Sequence, residues 1–279
     1  MIEPWAFFES KGIAQSEVRN LAGGDINQVY ATDNSVFKIN NAADFPEMFK
    51  KEAIGLDALR KGIRTPFVLD QGEFKDLQFL EIELIHEGKK NAVFWQGLGK
   101  KLAQLHQLSN DQFGFEQDNY IGSLKQRNDF KNSWSEFLVE MRLQPMIEMA
   151  VNNGDVNYVE SKPIEHFYKR LVDIYPDESP ALIHGDLWGG NYLCAENGDP
   201  VLIDPAVYYG HREMDIGMMH LFGGFENSIY NSYNEHYALA PNWKDRITIN
   251  QLYPLLVHVN LFGRSYWSRV SSILEPFKP

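Results

Sequence analysis

The chain has 279 residues, enough for one large domain or two compact lobes, and 38 acidic against 26 basic residues give it a formal net charge of -12. That excess of acid excludes general binding to nucleic acid or to an anionic membrane surface, both of which need clustered Lys and Arg. The single cysteine, Cys194, excludes a disulfide framework and a multi-thiolate zinc site. One thiol fits a reducing compartment, no apolar run reaches the length of a membrane span, and the first residues carry no secretory pattern. A soluble, cytoplasmic globular protein is expected.

In chain order, Gly23-Gly24 leads into Ile26 to Tyr30, a turn at Asp33-Asn34, and Ser35 to Ile39. These two short β-prone runs predict an antiparallel hairpin. A helix is predicted to open near Pro46, with Met48, Phe49, Leu56 and Leu59 on its inner face. Strands follow at 67–69 and 77–85, and the polar run 87–91 reads as the crossing to a second lobe. Helices are predicted around Phe94, Leu98, Leu102 and Leu105, over 134–151 with a kink or break at Pro145, and over 164–174. One island of strand interrupts them, at 181–183, 192–194 and 201–203, with a turn at 196–199; helices resume over 214–222 and from Lys244 onward. The fold class is therefore α+β: residues 1–86 form a small antiparallel β lobe with one helix, and residues 87–279 a larger, mainly helical lobe carrying a hairpin.

That hairpin carries the chemistry. His184-Gly185-Asp186-Leu187-Trp188-Gly189-Gly190-Asn191, followed by Ile203-Asp204, matches the protein-kinase pattern H-R-D-L-x-x-x-N and its later metal-binding aspartate, except that Gly185 replaces the arginine. In such a loop Asp186 accepts or orients the proton of an attacking hydroxyl. Asn191 and Asp204 hold Mg²⁺ against the phosphates of ATP. Any one of these residues alone would read as a turn satisfying backbone amides. The spacing of all of them together favours phosphoryl transfer.

The small lobe supplies an independent test. Lys38 lies inside an apolar strand, and Glu52 falls between Met48 and Leu56 on the helix's apolar face, where an unpaired acid is costly. Each is the other's natural partner; a snorkelling lysine and a solvent-facing glutamate are the alternative. Gly23-Gly24 reads as a phosphate-cradling turn or simply as a turn. Trp188 reads as a substrate platform or as core packing, and Asp215 as a helix N-terminal acid or an anchor of the catalytic loop. A protein kinase is disfavoured, because the arginine is absent and no long loop ending in A-P-E follows Asp204.

The run 184–191, the string 204–213 and Leu221-Phe222-Gly223-Gly224-Phe225 resemble the fructosamine kinase (ketosamine 3-kinase) family. So do Gly23 to Asn27, Phe49 to Ala53 and Asp118 to Gly122, so that the resemblance spans nearly the whole chain. Its broader relatives are the aminoglycoside phosphotransferases and choline kinases. The resemblance implies a two-lobed protein-kinase-like fold and ATP- and Mg²⁺-dependent phosphorylation of the 3-hydroxyl of amine-linked ketoses. It assigns Lys38 and Glu52 to the ion pair, Asp186 to the base, Asn191 and Asp204 to the metal, and Gly23 and Gly24 to the nucleotide. It also implies an adenine-binding hinge at Glu83-Leu84-Ile85, and substrate contacts from Trp188, His211 and Asp215. The chain departs from the family pattern at Gly189, usually Ser, and at Asp25, Cys in many relatives. An aminoglycoside- or choline-type phosphotransferase and a nucleotide-binding pseudokinase are the alternatives.

Overall fold

Apolar residues alternate along Ser35–Asn41, and this alternation organises the first lobe. In the computed structural model, which describes residues 4–21 and 26–278, this run is the central strand of a five-stranded sheet. The strands are β1 (Arg19–Leu21), β2 (Gln28–Ala31), β3 (Ser35–Asn41), β4 (Val68–Phe74) and β5 (Leu77–Glu83), in the spatial order β1-β2-β3-β5-β4, with every pair antiparallel. Phe37 and Ile39 point to one face, where helix α1 (Trp5–Ser10) packs Phe7 and Phe8 against them. Lys38 points to the other face, which helix α2 (Met48–Arg60) covers through Met48, Phe49, Ala53 and Leu56. The hairpin and the helix lie as predicted; β1 and α1 add to them. Gly23, Gly24 and Asp25 lie outside the described residues.

Residues 84–91 lead to helix α3 (Ala92–His106), which Asn91 caps by accepting the Phe94 N–H at 3.0 Å. Phe94, Trp95, Leu98, Leu102 and Leu105 bury its inner face. The hairpin of β6 (Asn119–Ile121) and β7 (Leu124–Gln126) follows. The run predicted as a helix over 134–151 consists of α4 (Trp134–Phe137), a π-helical segment (Leu138–Leu143) and α5 (Gln144–Asn152). Pro145 explains the wide turn, since its ring displaces the carbonyl four residues back. That carbonyl, on Met141, accepts instead from Arg142 Nη1 at 3.0 Å. Helices α6 (Tyr158–Ser161), α7 (Pro163–Tyr168) and α8 (Leu171–Ile174) come next, so the run predicted as one helix over 164–174 is broken after Tyr168.

The strand island has two ladders rather than one. β9 (Tyr192–Cys194) pairs with β10 (Pro200–Leu202), the predicted hairpin, whereas β8 (Ala181–Ile183) pairs with β11 (Tyr208–Gly210). Residues 184–191 and 203–207 each cross from one ladder to the other and so run side by side. The lobe is completed by α9 (Glu213–Phe222), α10 (Asn227–His236), α11 (Trp243–Asn250), α12 (Leu252–Phe262) and α13 (Trp267–Leu274). Helices α9 and α12 are apolar on nearly every side and are buried. Among the described residues no helix is long and apolar enough to cross a membrane.

Two glycines of α3 separate packing from helix propensity. A Cβ on Gly99 would stand 2.4 Å from the Ile229 carbonyl of α10, whereas one on Gly97 would meet nothing within 4 Å. Gly97→Ala should therefore stabilise the fold by about 0.5–1 kcal/mol. Gly99→Ala should destabilise it by about 1–3 kcal/mol despite the better helix former. Urea unfolding midpoints check both, and shifts in the same direction would refute the close approach of α3 and α10.

Candidate active site

A cavity of about 1050 Å³ opens between the two lobes, and Lys38, Glu52, Asp186, Trp188, Asn191 and Asp204 all line it. Lys38 sits on β3 opposite Val29 and Leu80, so its stem is enclosed by the sheet and α2. Its ammonium meets Glu52 Oε1 at 2.6 Å and also pairs with Asp204. Burial opposes the charge on Lys38, but Asp204 and Glu52 together hold its pKa above the ordinary lysine value. A cation enclosed by protein is tolerated only with such partners.

The catalytic loop is pinned from behind. Asp215, on the first turn of α9, accepts the His184 N–H at 2.7 Å and the Gly185 N–H at 2.9 Å, and meets His106 Nε2 at 3.2 Å. Burial works against its charge, yet these partners keep the carboxyl below its usual range. His184 is fully buried; its Nε2 faces the Ile203 carbonyl at 2.9 Å and its Nδ1 accepts the Asp186 N–H at 3.2 Å. The ring therefore carries its proton on Nε2, and burial favours this neutral form. One imidazole thus ties the loop bearing Asp186 to the residue before Asp204.

Asp186 is held by Asn191, whose Nδ2 donates to its carbonyl at 2.8 Å and to Oδ2 at 3.1 Å. Burial first, and then the Asp204 carboxylate, push the Asp186 carboxyl up to about 7. Asp204 has φ 55, in the left-handed region that aspartate tolerates better than most residues, and its side chain is 46% exposed toward the cavity. Asn191 has its Oδ1 free of protein partners among the described residues, and Asp204 adds a carboxylate. These two hard oxygen donors suit Mg²⁺, which typically takes one or two protein ligands and completes its shell with phosphate oxygens. Consistent with that division, no group of three or more His, Cys, Asp or Glu among the described residues could hold a metal unaided.

Gly185, where the kinase pattern has arginine, has φ +82, and a Cβ there would lie 2.1 Å from the Ala206 carbonyl. No side chain fits, because the two crossing segments touch at this point. Trp188 is 42% exposed in the cavity and rests its ring on Gly190.

Two expectations need correction. His211 does not line the cavity: it is 1% exposed, packed between Trp134 and Tyr175, and cannot touch a substrate. Asp215 is equally buried and acts on the loop's backbone, not on a substrate. Glu83, Leu84 and Ile85 lie outside the lining of this cavity. The Glu83 N–H donates to the Phe67 carbonyl at 2.8 Å and the Leu84 N–H to the Asn34 carbonyl at 3.2 Å, so a hinge donor in this segment would be the Ile85 N–H. Sequence reasoning also missed part of the lining, namely Lys51 on α2, the turn after Tyr120, and an aromatic wall of Phe222, His258, Phe262 and Tyr266. Its one available signal was large aromatics on otherwise buried helices; Phe222 and Phe262 are 41% and 51% exposed.

A two-lobed protein-kinase-like fold with an enclosed lysine–carboxylate pair and an H-x-D loop defines a phosphotransferase. Comparison with known proteins narrows the class. The fructosamine kinase family profile matches residues 5–278, and the chain belongs to that family. A probable ketoamine kinase of Enterococcus faecium is 38% identical over 92% of this chain and 94% of its own length. The protein-ribulosamine 3-kinase of Arabidopsis thaliana chloroplasts is 34% identical over 99% of this chain and 87% of its own. A crystal structure described as a "putative fructosamine-3-kinase" of Thermobifida fusca superposes with a TM-score of 0.82 at 31% identity, covering 93% of this chain and 92% of that one. The fold alone extends further, to an aminoglycoside phosphotransferase with a TM-score of 0.68, 15% identity and coverage of 100% and 98%.

Gly185→Ala tests the contact between the crossing segments. It should lower the melting temperature and cut turnover at least tenfold, since both the positive φ and the Ala206 carbonyl oppose a Cβ. Wild-type turnover and melting in this variant would show that the segments do not meet as described.

Proposed function

We propose that this chain phosphorylates the sugar hydroxyl of ketosamines, of the fructosamine or ribulosamine type, with ATP as donor and Mg²⁺ as metal, in repair of glycated amines. Residues 1–86 are the nucleotide-binding lobe, and residues 87–279 the catalytic and substrate lobe. The observation that carries this reading is the meeting of Lys38, Glu52 and Asp204 across the lobes, beside Asp186 and Asn191, in one cavity. Membership of the fructosamine kinase family supports the acceptor class.

In this reading Asp186 accepts the proton of the acceptor hydroxyl as its oxygen forms a bond to the γ-phosphorus. The bond from that phosphorus to the bridging oxygen breaks, and ADP leaves. Lys38, braced by Glu52, aligns the phosphates. Asn191 and Asp204 would hold Mg²⁺, which when bound neutralises phosphate charge. Trp188, beside the base, offers a face against which the sugar can stack. Burial, the main cause of the raised pKa of Asp186, also makes it a better base than an exposed carboxylate.

Asp186→Asn should reduce kcat by about 10²–10⁴-fold, the usual worth of a general base, while nucleotide still binds. A near-normal kcat would remove Asp186 from this role. An ADP-release assay over ketosamines of fructose, ribulose and erythrulose, with choline and an aminoglycoside alongside, should show turnover confined to ketosamines. Turnover on either control in preference to all ketosamines would overturn the acceptor class. Nucleotide binding without turnover on any of them would restore the pseudokinase reading.

A further inference from the structure

Besides Lys38, one other lysine lines the cavity: Lys51, the residue before Glu52 on α2. Two carboxylates neutralise Lys38, but Lys51 makes no ion pair among the described residues, and Glu47, one turn earlier, pairs with Lys50 at 2.9 Å. The Lys51 ammonium lies 5.3 Å from the centre of the Tyr120 ring. That ring is fixed, because its hydroxyl donates to the Pro46 carbonyl at 3.0 Å. An aromatic face steadies a cation without cancelling its charge. Lys51 is thus a half-buried, positioned cation with no ion-pair partner among the described residues, its charge felt by Glu47 only at longer range, and it faces a ligand cavity.

Its place in the cavity says which ligand it meets. From Tyr120 the chain turns at Gly122, whose α-carbon lies close against Leu261 of α12. The wall continues through Phe262, with the rings of His258 and Tyr266 tilted against it at 5.4 and 6.1 Å. The same cavity has Trp188 and the base Asp186 on its catalytic-loop side. Through Tyr120 and Gly122, Lys51 is thus joined to this aromatic wall of the cavity.

We propose that Lys51 is an anion subsite for the acceptor, pairing with the carboxylate of ketosamines formed from α-amino acids. This rests on the ketosamine kinase reading above and deepens it. In such an adduct the carboxylate sits one carbon from the nitrogen that carries the sugar. An adduct of a neutral amine, or of a lysine side chain within a protein, has no carboxylate there. Lys51 thus makes this chain favour glycated free amino acids.

The test compares one sugar on two amines, glycine and glycinamide, which differ only in the carboxylate. The ratio of kcat/KM, glycine adduct over glycinamide adduct, should fall about tenfold in Lys51→Met and in Lys51→Gln, the usual worth of one charge-assisted contact, and should survive in Lys51→Arg. It should also shrink as salt is raised. An unchanged ratio, an equal loss on both adducts, or an effect confined to the KM for ATP would overturn the subsite, the last by making Lys51 a phosphate contact. Failure of the wild-type protein to phosphorylate either adduct would instead overturn the ketosamine reading itself. Melting curves for all three variants identify any that is misfolded, and the two neutral replacements provide independent measures of the ratio.

Discussion

Everything at this site depends on one enclosed ammonium. Lys38 cannot be charged between β3 and α2 unless carboxylates reach it, and the two that do come from opposite lobes: Glu52 from the small one and Asp204, 166 residues along the chain, from the large one. Breaking such a group by removing one partner typically costs about 3–5 kcal/mol, because the remaining charges stay desolvated. The arrangement is therefore a constraint on how the lobes meet as much as a feature of the chemistry. It also leaves a surplus of negative charge. Against one lysine stand Glu52, Asp204 and Asp186; burial first, and then the Asp204 carboxylate, keep Asp186 from ionising as readily as an exposed aspartate. A divalent cation shared with phosphates would balance it.

Behind the charged groups lies a second layer that holds the backbone. The segment 203–207 is fixed on two sides. On one, the His184 carbonyl accepts the Ala206 N–H at 2.9 Å, at the point where Gly185 has no side chain. On the other, the Ala206 carbonyl accepts from Gln126 at 3.1 Å and the Val207 carbonyl from Asn119 at 2.8 Å. Asn119 accepts in turn from Gln126 and Asn128, and Arg142, fully buried, donates to Asn128 at 2.6 Å. Among the described residues Arg142 has no carboxylate partner; its guanidinium rests on the rings of Tyr208 and Phe137 at 4.0 and 4.6 Å. A buried network of this kind is costly when incomplete and specifying when satisfied. Its effect here is to hold the strand-to-strand connection that presents Asp204.

How far this was legible in the residues depends on the range of the interaction concerned. The hairpin of β2 and β3, the helix after Pro46 and the catalytic loop could be read because their signals are local: turn residues, helical spacing and a fixed motif. The Lys38–Glu52 pair could be read because an acid on an apolar helix face demands an explanation. The pairing of β8 with β11 could not, since three-residue strands carry almost no periodicity and register is set by the core around them. His211 was misplaced for a related reason. A motif string says that residues occur together, not which of them points into the cavity, and His211 points the other way, into the aromatic packing around Trp134 and Tyr175. Backbone N–H groups have no signature in sequence at all; only the structure shows that Phe67 and Asn34 use those of Glu83 and Leu84.

The net charge of -12 speaks against nucleic acid, yet ATP, the proposed donor, is one of the most anionic metabolites. The conflict disappears with distance. Surface charge is screened within about 8 Å at physiological salt, whereas Lys38 acts at contact range inside the fold. The same locality bears on the acceptor. After Asp204 the chain passes directly through β11 to α9, with no long loop to cover the cleft. In the proposed reaction, acceptor contacts would therefore fall to rigid elements: Trp188 on its pinned loop, the aromatics of α9 and α12, and Lys51 on α2. A cleft walled by helices can be selective for a small polar molecule without moving, because the groups that recognise it are held by the same core that holds the catalytic loop.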